Sequence, residues 1–147
     1  MTPVDRARAV FSDIGARHKL AIEWDNSASV ELACWIRKQP GLDWDLWLNL
    51  QNEDEVGIQH DLFTAEWFPI TDPTEEAAFV AVVDGLISGD VRLRCMYSGH
   101  GGLPCRVDLE QISEATWRLL FTYHRGLYVG RAELIEAVRN GHPTEAL

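Results

Sequence analysis

The sequence predicts an α+β fold: an antiparallel β-sheet meander with an N-terminal helix, a central amphipathic helix at about 73–88, a short C-terminal helix, and a β-hairpin at about 91–109. Three observations predict it. Two segments open with a capping residue followed by proline and then show apolar residues at helical spacing. Several short runs alternate apolar and polar residues with a period of two. The connections between those runs are too short for the crossovers that parallel strands need, so neighbouring strands must run antiparallel.

Thr2-Pro3-Val4-Asp5 supplies an N-cap, proline at the first helical position and a first-turn acid, and Ala7, Val10, Phe11 and Ile14 follow on one face. Helix one is expected from Pro3 to about Arg17. Segments 20–24 and 30–38 are rich in β-formers and flank the turn-prone Asp25-Asn26-Ser27-Ala28-Ser29, so they read as paired strands. After Pro40-Gly41, Trp44, Leu46, Leu48 and Leu50 alternate with Asp45, Trp47, Asn49 and Gln51, which predicts a half-buried third strand. Beyond the polar turn Asn52-Glu53-Asp54-Glu55, Val56, Ile58 and segment 62–68 supply a fourth and a fifth strand, ended by Pro69.

Asp72-Pro73-Thr74-Glu75 combines an N-cap, proline at N1 and an acid at N3, and leads into Phe79, Val82, Val83, Leu86 and Ile87, with Gly89 as terminator. Val91, Leu93, Cys95 and Tyr97 then alternate with Arg92, Arg94 and Met96, and after the loop 98–102 Leu103, Cys105, Val107 and Leu109 alternate with Pro104, Arg106 and Asp108. A five-residue loop would set Tyr97 against Leu103, Cys95 against Cys105 and Arg94 against Arg106. Segment 112–123 fits a helix from Ser113 or a strand from Trp117. Segment 131–139 is expected to close the chain as a short helix ended by Asn140-Gly141 and Pro143.

The 147 residues suit one domain, 1–147. Their charge is unevenly distributed. Between Lys38 and Arg92 no lysine or arginine occurs in 53 residues, while twelve carboxylates do, so the formal net charge of -10 originates there. With 46% hydrophobic residues overall and tryptophans inside the acidic stretch, this is a folding segment and not a disordered tail. So acidic a chain should repel phosphates, which argues against direct nucleic-acid binding and against anionic membranes. No apolar run approaches the roughly 20 residues of a membrane span, and no secretory signal opens the sequence. Three cysteines without CxxC spacing suit a reducing compartment, so a cytoplasmic location is expected.

Candidate sites are weak as motifs. Cys95, His100 and Cys105 offer zinc-type ligands, but their expected placement on an inward face and at a loop tip is awkward for one tetrahedral centre; buried thiols in a core are the better reading, and no metal or cofactor is expected. Arg92, Arg94, Arg106 and His100 surround a glycine-rich loop and could bind an anion, against which stands the use of such arginines to balance the protein's own acids. His60-Asp61, His124 and Cys34 are catalytic types without a catalytic signature, which favours a binding protein over an enzyme. Trp47 falls on the polar parity of its strand, where it is either an interface anchor or packing beneath a helix on the sheet's second face.

The leading expectation is therefore a non-enzymatic, acidic protein-binding domain, in its most concrete form an immunity or inhibitor protein that neutralises a basic nuclease-type toxin. Its partner-binding residues would be Asp43, Asp45, Trp47, Glu53, Asp54, Glu55 and Asp61, because carboxylates around an aromatic anchor steer and hold a cationic partner. Two alternatives stand beside it: a small-molecule anion-binding protein or enzyme using the Arg92, Arg94, Arg106 and His100 face, and a structural or adaptor subunit of a homo-oligomer, a homodimer in the simplest case.

Overall fold

The computed structural model describes residues 1–98, 102–126 and 132–147. The chain forms two compact units, Met1–Asp84 and Gly85–Leu147. It is a mixed α+β protein with two helices and two antiparallel five-stranded sheets among the described residues.

In the first unit, helix α1 (Pro3–His18) is opened by a capping box in which Thr2 and Asp5 exchange hydrogen bonds. Lys19, in left-handed conformation, closes it. Strands β1 (Glu23–Trp24), β2 (Leu32–Ile36), β3 (Leu46–Gln51), β4 (Glu55–Gln59) and β5 (Thr64–Trp67) follow as an uninterrupted meander. The expected first strand is cut to two residues for a visible reason. The Gln39 side chain takes both backbone groups of Ala21, donating to its carbonyl at 3.1 Å and accepting from its N–H at 2.9 Å, where a neighbouring strand would otherwise pair. One face of the sheet carries Leu32, Cys34, Ile36, Leu46, Leu48, Leu50, Val56 and Ile58, all buried. Phe11 of α1 meets Phe79 of α2 (Pro73–Ser88) at 5.9 Å, and Phe79 meets Trp67 of β5 at 5.6 Å, which joins both helices to this core. Asp72 caps α2 by accepting the Thr74 N–H at 2.8 Å.

The second unit begins in the last turn of α2, which Gly89 ends at φ +84°; a Cβ there would come within 2.6 Å of the Asn140 carbonyl. Its sheet has the order β10-β9-β6-β7-β8, built from β6 (Val91–Tyr97), β7 (Arg106–Ser113), β8 (Thr116–His124), β9 (Leu134–Val138) and β10 (Glu145–Ala146). Two expectations are corrected here, and the two open readings of segment 112–123 are decided for strand. The C-terminal helix is absent: residues 134–138 form β9, which pairs with β6 through Val138↔Leu93 and Leu134↔Tyr97. Short apolar segments fit either period, and a vacant sheet edge decides between them. Residues 116–124 are strand. The β6–β7 hairpin is shifted by two residues from the expected register, so that Cys95 faces Val107 and Arg94 faces Asp108. That register replaces an arginine pair with an ion pair, and it keeps side-chain parity because the shift is even.

Candidate acidic docking surface

The face of the first sheet opposite its apolar core is built by alternation. Ala33 and Trp35 of β2, Trp47, Asn49 and Gln51 of β3, Glu55, Gly57 and Gln59 of β4, and Thr64 and Glu66 of β5 project from it, since residues two apart share a face. Trp35 and Trp47 stand opposite each other, with ring centroids 6.2 Å apart. Asp25 accepts the Trp47 indole N–H at 3.2 Å and two hydrogen bonds from Ser27. The Ser27 hydroxyl foremost, with help from Trp47, holds the Asp25 carboxyl below the usual carboxylate range. The Arg37 guanidinium lies 3.8 Å over the Trp35 ring and reaches Glu23 and Asp45 at only 4.0 Å, so it is held mainly by the aromatic face.

Two hollows lie on this face. The first, of about 120 Å³, is bounded by Trp47, Asn49, Gly57, Gln59, Thr64 and Glu66. Asn49 is 5% exposed, and its Oδ1 has no hydrogen-bond partner among the described residues. An amide oxygen buried without a donor is unfavourable by about 1–3 kcal/mol. The second hollow, of about 200 Å³, is lined by Trp35, Asp45, Gln59, His60 and Asp61. His60 is buried edge-on to Trp44 at 4.9 Å and stacked on Phe63 at 5.2 Å. Its Nδ1 accepts the Leu62 N–H at 3.0 Å, so the neutral ring carries its proton on Nε2. That Nε2 is buried with no partner among the described residues. Burial pushes the His60 pKa down to about 4, against the opposing pull of Asp61 and Asp45, so the ring is neutral at pH 7.

The residues expected to bind a partner do not form one cluster. Asp45, Trp47 and Asp61 belong to the end of the sheet that carries Trp35, with Asp43 in the loop just before β3. Glu53 and Asp54 occupy the β3–β4 turn and Glu55 opens β4, at the end of β3 about 13 Å along the strand from Trp47. The Glu55 carboxylate accepts from Gln51 at 2.8 Å, and backbone groups of the other two hold the turn: the Glu53 N–H binds Glu31 at 3.0 Å and the Asp54 carbonyl accepts from Ile70 at 2.9 Å. The surface is thus a stripe along the strands. Trp35, Asn49 and Glu66 belong to it and escaped the sequence reading; the alternation of Ala33 and Trp35 against Leu32, Cys34 and Ile36 was the available signal.

The arginine face of the second unit is ordered differently from a single cationic cluster. Arg106 makes two hydrogen bonds to the Asp108 carboxylate, at 2.9 and 3.1 Å, and Arg94 approaches the same group at 3.9 Å. Arg92 binds Glu110 at 2.9 Å. His100 lies outside the described residues. Cys105 donates its thiol to the Met96 carbonyl at 3.0 Å, and Cys34 and Cys95 are fully buried with thiols pushed up to about 12 by burial, so neither supplies a thiolate. No group of three His, Cys, Asp or Glu suited to a metal occurs among the described residues, and no helix among them is long and apolar enough to cross a membrane. Comparison of the chain with protein-family models, curated proteins and solved structures found no match.

Proposed function

We propose that the stripe around Trp35 and Trp47 docks a basic protein, in the manner of an immunity or inhibitor protein that occludes the cationic groove of a nuclease-type toxin. The observation that carries this reading is where the charge resides. The first unit holds sixteen acidic and six basic side chains, while the second holds seven of each, so the whole net charge of -10 belongs to the unit with the paired tryptophans. A surface of this sign raises the association rate of a cationic partner, and aromatic anchors slow its departure. The seat of Arg37 over Trp35, between Glu23 and Asp45, illustrates the chemistry: an aromatic ring flanked by carboxylates holds a guanidinium on this face.

The test is titration of the full chain with basic nuclease domains, reading both binding and residual nuclease activity. Binding should weaken steeply with salt, and Trp47→Ala should weaken it by about 2 kcal/mol, the scale of an interface hot spot. Joint reversal of Asp61 and Glu66 to lysine should lower the association rate more than reversal of Glu53, Asp54 and Glu55, which lie at the far end of the stripe. A complex indifferent to salt, to Trp47→Ala and to both reversals removes this reading.

A further inference from the structure

The second unit contains a cavity of about 440 Å³ in which Arg92, Trp117, Arg139, His142, Thr144 and Glu145 converge. Both guanidinium groups rest on one indole: Arg92 is 4.4 Å and Arg139 5.4 Å from the Trp117 ring centre. Their electrostatic situations differ. Arg92 directs its Nε to Glu110 at 2.9 Å, with both side chains 14% exposed, so its charge is locally balanced. Arg139 has no carboxylate within ion-pair distance among the described residues, in contrast with Arg94 and Arg106, which share Asp108. Its hydrogen bonds go to neutral acceptors, the Gly89 carbonyl at 3.4 Å and His142 Nδ1 at 3.1 Å. An arginine can only donate, so His142 Nδ1 accepts and the neutral imidazole keeps its proton on Nε2, as a further donor. Thr144, whose hydroxyl can donate as well, also lines the cavity. Donors and positive charge thus predominate at this cavity, and Glu145, on the exposed two-residue strand β10, is the carboxylate among its lining residues.

We propose that this cavity binds a small phosphate-bearing molecule, with Arg139 as its principal charge partner and Arg92, His142 and Thr144 as accessory donors. Several donors from different directions suit a tetrahedral oxyanion better than a planar carboxylate, and guanidinium-to-phosphate hydrogen bonds are among the stronger ones available. The volume exceeds what one phosphate group fills, leaving room for the organic part of a monoester. Trp117 holds the two guanidinium groups in place through cation–π contact, so they are positioned before the anion arrives. A nucleic-acid strand would need a basic surface, and this unit carries no net charge.

Calorimetric titration of the full chain with inorganic phosphate, ribose 5-phosphate and succinate, at matched ionic strength, tests the assignment. The phosphate ester should bind at least about tenfold more tightly than the dicarboxylate, with inorganic phosphate between them. Arg139→Gln should lower affinity for the ester by about tenfold or more, and Glu145→Gln should raise it several-fold by removing the opposing charge. Arg94→Ala should leave it unchanged. If Arg139→Gln unfolds the unit, as circular dichroism would show, His142→Ala in the exposed turn provides the second variant and should weaken binding. No binding of either phosphate, preference for succinate, or affinity unaffected by Arg139→Gln and His142→Ala would each overturn the proposal.

Discussion

Asn49 and Gly57 stand directly opposite each other on β3 and β4, and the Asn49 amide lies over the place where Gly57 has no side chain: a Cβ at 57 would sit 3.2 Å from Oδ1 and 3.3 Å from Nδ2. The same Cβ would also lie 3.2 Å from the Ala65 carbonyl, so β5 closes the other side. Gly57→Val should therefore destabilise the first unit by about 1–3 kcal/mol through overpacking, even though valine is the better strand former. Adding Asn49→Ala should recover part of that loss, a coupling of about 0.5–3 kcal/mol in a double-mutant cycle. Asn49→Val alone should stabilise by about 1 kcal/mol, because it removes an amide oxygen without a donor. A polar group kept at the expense of stability suits a docking surface, so the same substitution should weaken the proposed complex. Chemical denaturation of the four variants, with binding measured beside it, distinguishes these outcomes.

His60 gives the first unit a pH dependence of definite sign. Its folded pKa, about 4, lies below the value of 6.5 expected when unfolded, so between these limits the unfolded chain binds the extra proton. The contribution is fully present above pH 6.5 and is lost as pH falls toward 4, to an extent of about 3 kcal/mol. His60→Phe should flatten the stability profile across that window. At pH 7 the same change removes both a hydrogen bond to the Leu62 N–H and the buried Nε2 donor that has no partner among the described residues, so the two effects oppose each other and stability there should change by less than about 1 kcal/mol. Urea midpoints measured at intervals between pH 7 and pH 4 give both effects, and an unchanged slope in the variant would assign the dependence to other groups.

The helices were the most legible part of the fold. Thr2-Pro3 and Asp72-Pro73 state their own starts, because capping and fixed φ are local chemistry, and α1 and α2 begin at these prolines. The strands of the first sheet were legible by alternation, with their ends less so: nothing local announces that the Gln39 side chain will occupy the backbone of Ala21. In the second unit, Leu134, Ile135 and Val138 fit helical spacing as well as strand spacing, and pairing with β6, a tertiary event, selected the strand. Loop length alone does not give the hairpin register, because Asp108 and Glu110 share the parity of the arginines and draw them into register. For the docking surface, the parity of Trp47 was readable, but its pairing with Trp35 and the burial of Asn49 depend on which strands become neighbours.

The β7–β8 turn was hidden for another reason, and that reason makes a prediction. Glu114 and Ala115 form the two-residue connection between Ser113 and Thr116, with φ of 49° and 65°. Positive φ at both positions is the geometry that favours Asn-Gly, and neither residue here carries that signal. Left-handed backbone is unfavourable by about 1–2 kcal/mol for a residue such as alanine. Glu114→Asn combined with Ala115→Gly should therefore stabilise the second unit by about 1–2 kcal/mol, visible as a higher melting temperature. A melting temperature that falls would mean that glycine's greater unfolded-chain entropy outweighs the relief of strain.

Asp108 organises the arginine face, and its removal should destabilise the second unit. The side chain is 5% exposed and accepts from Arg106 Nε and Nη2 and from the Thr122 hydroxyl at 2.9 Å, with Arg94 at 3.9 Å. Asp108→Ala leaves two guanidinium groups beside each other with no counter-charge and Thr122 without its acceptor. Both arginines are more than a third exposed, so water screens the loss of their counter-charge and the expected destabilisation is about 1–3 kcal/mol. Asp108→Asn keeps the shape and the Thr122 bond, so it should fall short of that loss while still leaving the arginines unbalanced. Because both guanidinium groups are partly exposed, added salt should screen their repulsion and restore part of the stability lost in either variant. Full recovery of Asp108→Ala in high salt would show that repulsion between the arginines alone, and not the lost hydrogen bonds to Arg106 and Thr122, sets the value of this residue.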